Sequence, residues 1–183
     1  MDDLSDRALL QAFREPASRY DAFGQILRKY QERIYWHIRK IVVAHADADD
    51  AVQNTFMNVW TGLDTFREGA SLYTWIYRIA TNEALALLRR RTKLRHEVPI
   101  DTPDLHLLHQ LSADPHIDGT EAQLKLQRAI LCLPEKQRLV FNMRYFDELK
   151  YEDMSEILGT SVGALRASYH HAVKKIEQFM AQD

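Results

Sequence analysis

An all-α fold is predicted, with two small helical domains joined by a flexible acidic linker and a helix-turn-helix in the C-terminal one. Three observations predict it. No proline interrupts the chain between Pro16 and Pro99, and strand-like alternation is absent, so long helices run unbroken there. Pro99, Pro103, Pro115 and Gly119 then break a stretch that holds Glu97, Asp101, Asp104, Asp114 and Asp118 without a Lys or Arg. Beyond it, Tyr151 to Lys175 has the outline of two short helices joined by a glycine turn. The boundaries that follow are a domain over 1–96, a linker over 97–119 and a domain over 120–183. With 183 residues, 46% of them hydrophobic, the chain can fill two such cores.

The elements follow in chain order. The N-terminus, MDDLSDRALLQAFRE, is acidic and amphipathic, where a secretory signal is basic and then continuously apolar. No apolar run reaches eighteen residues, so a soluble, cytoplasmic protein without membrane insertion is expected. Ser18 or Asp21 starts a helix toward Val43 with Phe23, Ile26, Leu27, Tyr30, Ile34 and Ile38 as its inner stripe. Gly24 weakens it by roughly 1 kcal/mol relative to alanine, which packing can override. Asp47 is expected to cap a second helix with Val52, Phe56, Val59, Trp60 and Leu63 inward. Ser71 caps a third, in which Leu72, Trp75, Ile76, Ile79, Ala80 and Leu87 point inward and Arg89 to Arg91 meet the negative end of the helix dipole. After the linker come a helix from Thr120 to Leu131 and one from Pro134 to about Tyr145.

The last pair is the most telling. Met154, Ile157 and Leu158 form an apolar side, Gly159 stops the helix, and the Ser161 hydroxyl caps the next. In that next helix Leu165, Tyr169, Ala172, Val173 and Ile176 are inward, leaving Ala164, Ala167, His170, His171 and Lys174 outward. Alanines allow close approach to base edges, and the His and Lys donors reach bases or phosphates. An ordinary helical hairpin with a solvated face has the same pattern.

Charge and composition narrow the function. With 24 basic and 26 acidic residues the net charge is −2, too little positive field for a domain that binds DNA unaided. Locally, Arg78, Arg89, Arg90, Arg91, Lys93 and Arg95 face one carboxylate, Glu83, over 71–96, a balance of +5, and the next stretch, 97–120, is at −5. The single cysteine, Cys132, excludes an internal disulfide and reads as a core thiol. His106, His109 and His116 in the linker lack carboxylate or cysteine partners at ligand spacing, and adjacent His170 and His171 point about 100° apart on a helix, so no metal site is expected. No nucleophile–base pair, glycine-rich phosphate loop or cofactor motif is present, so an enzyme is not expected.

The strings DADDAVQNTFMNVW, FREGASLYTWIYRIATNEALALLRRR, LPEKQRLVFNMRYFDELKYEDMSEILG and VGALRASYHHAVKK, with the acidic Pro-containing linker between the second and third, resemble the extracytoplasmic-function (ECF) group of bacterial RNA polymerase sigma factors. The resemblance runs from about Tyr20 to Phe179. It implies that Asp47 to Trp60 docks on core RNA polymerase, with Asp49, Asp50, Gln53, Asn54 and Asn58 on or beside its polar side and Asp47 at its start. The same acids would also suit any helix N-terminus. It implies that Phe66 to Arg91 melts and reads the minus-10 promoter element. Phe66 and Tyr73 are then the candidates for unstacked bases, Arg78, Thr81 and Asn82 for base or backbone contacts, and Arg89, Arg90 and Arg91 for phosphates. Trp75 shares a stripe with Ile76 and Ile79 and is expected in the core. The C-terminal domain is implied to read the minus-35 element through Ala164, Arg166, Ala167, Ser168, His170, His171, Lys174 and Lys175. This helix departs from the family, which usually carries more Lys and Arg where Ala167, Ser168 and His171 stand. The linker is either a channel-threading acidic segment or a plain tether. An anti-sigma factor or another protein regulator is the further partner implied. A stand-alone repressor, by contrast, has no need of the aromatic and basic segment from Phe66 to Arg95.

Overall fold

The computed structural model describes residues 5–67, 69, 71–95, 107 and 120–181. Among them are eight α-helices and one short 3-10 turn, with no strand. They are α1 (Asp6–Arg14), α2 (Arg19–Val42), α3 (His45–Gly62), α4 (Leu72–Arg95), α5 (Glu121–Leu131), α6 (Glu135–Tyr145), α7 (Tyr151–Leu158) and α8 (Val162–Met180), with the turn at Leu63–Thr65. The linker histidines His106, His109 and His116 lie outside the described residues.

The amphipathic N-terminus forms α1, capped by the Ser5 hydroxyl, which accepts from the Ala8 amide at 3.3 Å. Leu9, Leu10 and Phe13 bury its inner face. Asp6 fixes its angle by accepting from the Tyr30 hydroxyl at 2.7 Å on α2. Ser18 is the N-cap of α2 by position, but its hydroxyl donates to the Ala12 carbonyl at 2.8 Å and closes the α1–α2 turn. At the other end, Val43 adopts φ 67 and ψ −49 while the Ala44 amide donates to the Val42 carbonyl at 2.8 Å, a γ-turn around a β-branched residue. This turn reverses the chain within two residues and places α3 against α2.

Helix α3 begins at His45, two residues before the expected cap. Ala44 is the N-cap, and Asp47, now inside the first turn, is 3% exposed and accepts from Arg91 of α4. Ser71 caps α4 as expected, accepting from the Thr74 amide at 3.0 Å. Thr120 and Gln123 form a reciprocal capping box on α5. Gly159 ends α7 in the left-handed conformation at φ 62, and Ser161 accepts from the Ala164 amide at 3.4 Å at the head of α8.

The two halves share one core. Ile26, Ile34 and Ile38 of α2, Ala51 and Val59 of α3, and Ile76, Ala80 and Ala84 of α4 pack in a cluster that continues through Leu107 to Leu139, Met143, Leu149, Met154 and Leu165. Helix α7 lies against α4, and α6 touches α2. A smaller cluster of Ala129, Ile130, Leu133, Phe141, Ala172 and Ile176 holds α5, α6 and α8 together. Cys132 sits at its edge, half-buried, with burial raising its thiol pKa.

Candidate polymerase and nucleic-acid interfaces

Three surfaces carry the residues singled out in the sequence. The first is a groove of about 780 Å³ between α2 and α3. Phe23 and Leu27 of α2 and Val52, Phe56, Met57 and Trp60 of α3 line it, with Asp49, Asp50, Gln53 and Asn58 alongside. Trp60 is fixed by edge contacts from Phe13 at 5.4 Å and Phe23 at 5.0 Å and by stacking on Tyr20 at 5.3 Å. Met57 is 62% and Tyr20 77% exposed, an unusual display of apolar surface beside two carboxylates. Of the residues expected to dock, Asp49, Asp50, Gln53 and Asn58 meet at this groove, and Asn54 is exposed on the same helix but does not line it. Asn58 also donates to Glu83 at 2.9 Å. Asp47 is turned inward to Arg91, so it positions α3 against α4 rather than facing a partner. Met57 was not singled out in the sequence, although an apolar residue between Asn54 and Asn58 on a polar side is the signal that would have found it.

The second surface is the outer side of α4. Arg78, Asn82, Arg89 and Arg90 are exposed along it at helical spacing, a basic stripe with one amide. Thr81 is 1% exposed, its hydroxyl held between His37 of α2 at 2.9 Å and the Tyr77 carbonyl at 2.8 Å, and α7 packs on α4 in addition to α2 and α3. Arg91 is half-exposed and tied to Asp47, unlike its two neighbours. Phe66 is 7% exposed with its ring 5.0 Å from Trp75, whereas Trp75 itself is half-buried. The expected division between these two aromatics is therefore not what the fold displays: Phe66 closes the core below the loop, and Trp75 covers Gly62. A Cβ on Gly62 would stand 2.9 Å from the Trp75 ring, so a larger residue there would displace the indole. Tyr73 is half-buried, 4.4 Å from Tyr77 and 6.2 Å from Tyr30, and burial raises its hydroxyl pKa.

The third surface is α8. Ala164, Arg166, Ala167, His170, His171, Lys174 and Lys175 are exposed, Ser168 is half-buried, and Leu165, Ala172 and Ile176 are inside. Arg166 lies 5.4 Å over the Tyr151 ring, which couples α8 to α7. The rings of His170 and His171 are 6.0 Å apart and tilted, and no metal-holding cluster occurs among the described residues. A capped, tightly turned helix pair with small and cationic residues outward is suited to major-groove docking.

Two family models match the chain. Residues 26–94 match the family described as Sigma-70 region 2, and residues 123–176 match Sigma-70, region 4. The ECF RNA polymerase sigma factor SigW of Bacillus subtilis is 31% identical over 158 residues, covering 82% of this chain and 84% of that one. The chain belongs to the ECF sigma factors. The ECF RNA polymerase sigma-E factor of Escherichia coli K12 is 26% identical over 183 residues, 96% of this chain and 94% of its own. Among solved structures, the sigma factor RpoE in complex with the anti-sigma factor NepR from Bartonella quintana has a TM-score of 0.69 at 22% identity, over 88% of this chain and 98% of that one. CnrH in complex with the cytosolic domain of CnrY gives 0.67 at 24%, over 97% and 98%. Both likenesses concern the all-helical fold. As a sigma factor this protein directs promoter-specific transcription initiation by RNA polymerase, and the polymerase performs the chemistry. No described helix is long and apolar enough to cross a membrane.

Proposed function

We propose that this sigma factor divides its work over the three surfaces. The α2–α3 groove docks core polymerase, with Asp49, Asp50, Gln53 and Asn58 beside an apolar floor and Asn54 next to it. The outer side of α4 captures the melted minus-10 strand: Asn82 and Arg78 contact bases and backbone, Arg89 and Arg90 hold phosphates, and Tyr73 and Thr81 contribute from the side now covered. Helix α8 reads the minus-35 element through Ala164, Arg166, Ala167, Ser168, His170, His171, Lys174 and Lys175. Residues 1–96 and 120–183 are the two working domains, 97–119 the tether, and the site of action is the cytoplasm, where polymerase is. A protein regulator of the anti-sigma kind is the further partner, in line with the complexes in which RpoE and CnrH were solved.

The observation that carries this reading is the separation of chemistries along one chain. An apolar, acid-flanked groove suits a protein partner, and a basic stripe with an amide suits single-stranded DNA. A net charge of −2 makes weak DNA binding the default until a large partner adds contacts. Run-off transcription with purified core polymerase on a genomic promoter pool, with and without this protein, is the test. New start sites that share two upstream elements are expected, and none above the core background would refute it.

A further inference from the structure

The two halves are joined by a buried ionic contact that local sequence does not announce. Asp147 follows α6 in a turn whose next residue, Glu148, sits at φ 54. The turn is tied back by the Asp147 amide to the Asn142 carbonyl at 3.2 Å and the Leu149 amide to the Met143 carbonyl at 3.0 Å. The Asp147 side chain, 4% exposed, crosses to α2, where His37 Nδ1 donates to one carboxylate oxygen at 2.7 Å and Lys40 Nζ donates to the other. A carboxylate only accepts, so Nδ1 carries a proton in either charge state of the ring. The other ring nitrogen of His37, which is fully buried, meets the Thr81 hydroxyl of α4 at 2.9 Å. Asn142 adds a bond to the Lys40 carbonyl at 3.3 Å, and Lys40 lies 5.5 Å over Phe146.

Asp147 thus ties its own half to α2 directly and to α4 through the His37 ring. The groups that face His37 are Asp147 from the C-terminal half and Thr81 and the Tyr77 ring, 4.7 Å away, from α4, with Lys40 of α2 on the same carboxylate; Arg33 of α2 and Asp153 of α7 act on the nearby Tyr73 hydroxyl. Burial alone would raise the Asp147 carboxyl, but the His37 hydrogen bond, the His37 and Lys40 charges and the Lys40 hydrogen bond together hold it below the usual carboxylate range. While this contact stands, α7 rests on α4, with Tyr77 2% and Thr81 1% exposed and Met154 fully buried.

We propose that Asp147 is a latch that keeps the free chain closed, with α7 laid over the Tyr73–Tyr77 side of α4, so that this part of the minus-10 surface is withheld until the two halves separate. The proposal rests on the assignment of α4 as the minus-10 reader. A buried pair with partners 107 and 110 residues apart exists only while the halves are together. Any ligand that favours the separated form must first overcome it, so the latch and DNA capture oppose one another through a shared equilibrium.

The test uses the full chain in a Cys132→Ser background, with dyes on Glu15→Cys and Glu177→Cys, both exposed positions in opposite halves. The inter-dye distance is measured for the otherwise unaltered chain and for Asp147→Ala, Asp147→Asn and Lys40→Met, with helicity followed by circular dichroism. Binding of a labelled single strand is measured without polymerase, the strand taken from a promoter that the chain serves in run-off transcription. The unaltered chain is expected to give one short distance. The variants lengthen it at unchanged helicity and bind the strand on the order of tenfold more tightly, a usual size for coupling between sites. If Asp147→Ala unfolds, Lys40→Met and Asp147→Asn decide the matter. An unchanged distance in those variants, or a long one in the unaltered chain, overturns the latch. A longer distance with unchanged strand affinity overturns the withholding. Failure of the unaltered chain to serve any promoter overturns the assignment of α4 instead, and the distances still report on the latch.

Discussion

At the scale of single residues, burial separates side chains that look alike in the sequence. Asp47, Asp49 and Asp50 are three acids within four positions, yet Asp47 is buried against Arg91 and the other two are exposed at the groove. Asp49→Lys with Asp50→Lys is therefore expected to weaken association with core polymerase by about tenfold, as rim charges set encounter, while the melting temperature stays within a degree or two. Fluorescence anisotropy against core polymerase and thermal melting check the two halves of that statement, and an unchanged affinity would sink the docking proposal. The arginines divide in the same way. Arg91→Ala is expected to destabilise the fold by roughly 1–2 kcal/mol, because a buried carboxylate loses a partner, with half-exposure of Arg91 keeping the loss below that of a fully buried pair. Arg89→Ala and Arg90→Ala leave stability within about 0.5 kcal/mol and lower the salt dependence of DNA binding. Thr81 and Asn82 are neighbours with opposite fates. Thr81→Val costs roughly 1–3 kcal/mol by leaving the buried His37 ring unpaired on one side, and Asn82→Ala is expected to impair open-complex formation with stability and core binding intact. Denaturant melts and permanganate footprinting of the promoter separate these outcomes.

At the scale of elements, caps and turns were legible because their chemistry is local. Gly159 before Ser161 requires no partner to be read: one residue takes a left-handed conformation and the next but one offers a hydroxyl to free amides. Nothing lies within 4 Å of a Cβ placed on Gly159, so Gly159→Ala is a conformational rather than a steric test. It is expected to cost about 1–2 kcal/mol and to weaken minus-35 binding only as far as it loosens α7 against α8. Ser161→Ala should cost about 1 kcal/mol. Lys174→Ala, by contrast, should leave the melt unchanged and reduce the salt slope of promoter binding by roughly one. Gel-shift titrations over a series of salt concentrations check that contrast. The start of α3 was less legible. Asp47 has the composition of a cap, but the γ-turn at Val43 makes Ala44 the cap and starts the helix three residues early. Ser18 or Asp21 is expected to start α2; Ser18 holds the N-cap position, but its hydroxyl closes the α1–α2 turn, since the Ala12 carbonyl comes within reach only when α1 is folded.

At the scale of the whole molecule, the contact between the halves makes the closed form depend on pH in a definite direction. Asp147 has a folded pKa below its ordinary value, so its contribution is fully present above that ordinary value, about 3.9, and is lost as the pH falls through the depressed one. The inter-dye distance is expected to lengthen in that acid window while helicity persists, and Asp147→Asn should show no such step. The amino-acid sequence by itself determined the helices and the inward and outward sides of α8, because each rests on spacing within a few residues, and the ordered motifs along the chain carried the resemblance to the family. The tertiary structure alone decided which side of α4 is free. The apolar stripe predicted from Leu72 to Leu87 leaves out Tyr77 and Thr81, but α4 packs against α2, α3 and α7, so both are covered while Arg78 and Asn82 stay open. It also decided the role of His37, a polar residue within the α2 stripe, and of Asp147, which has no local signature. Their partners stand more than a hundred residues away, and only folding brings opposite charges from such distances into one dry contact.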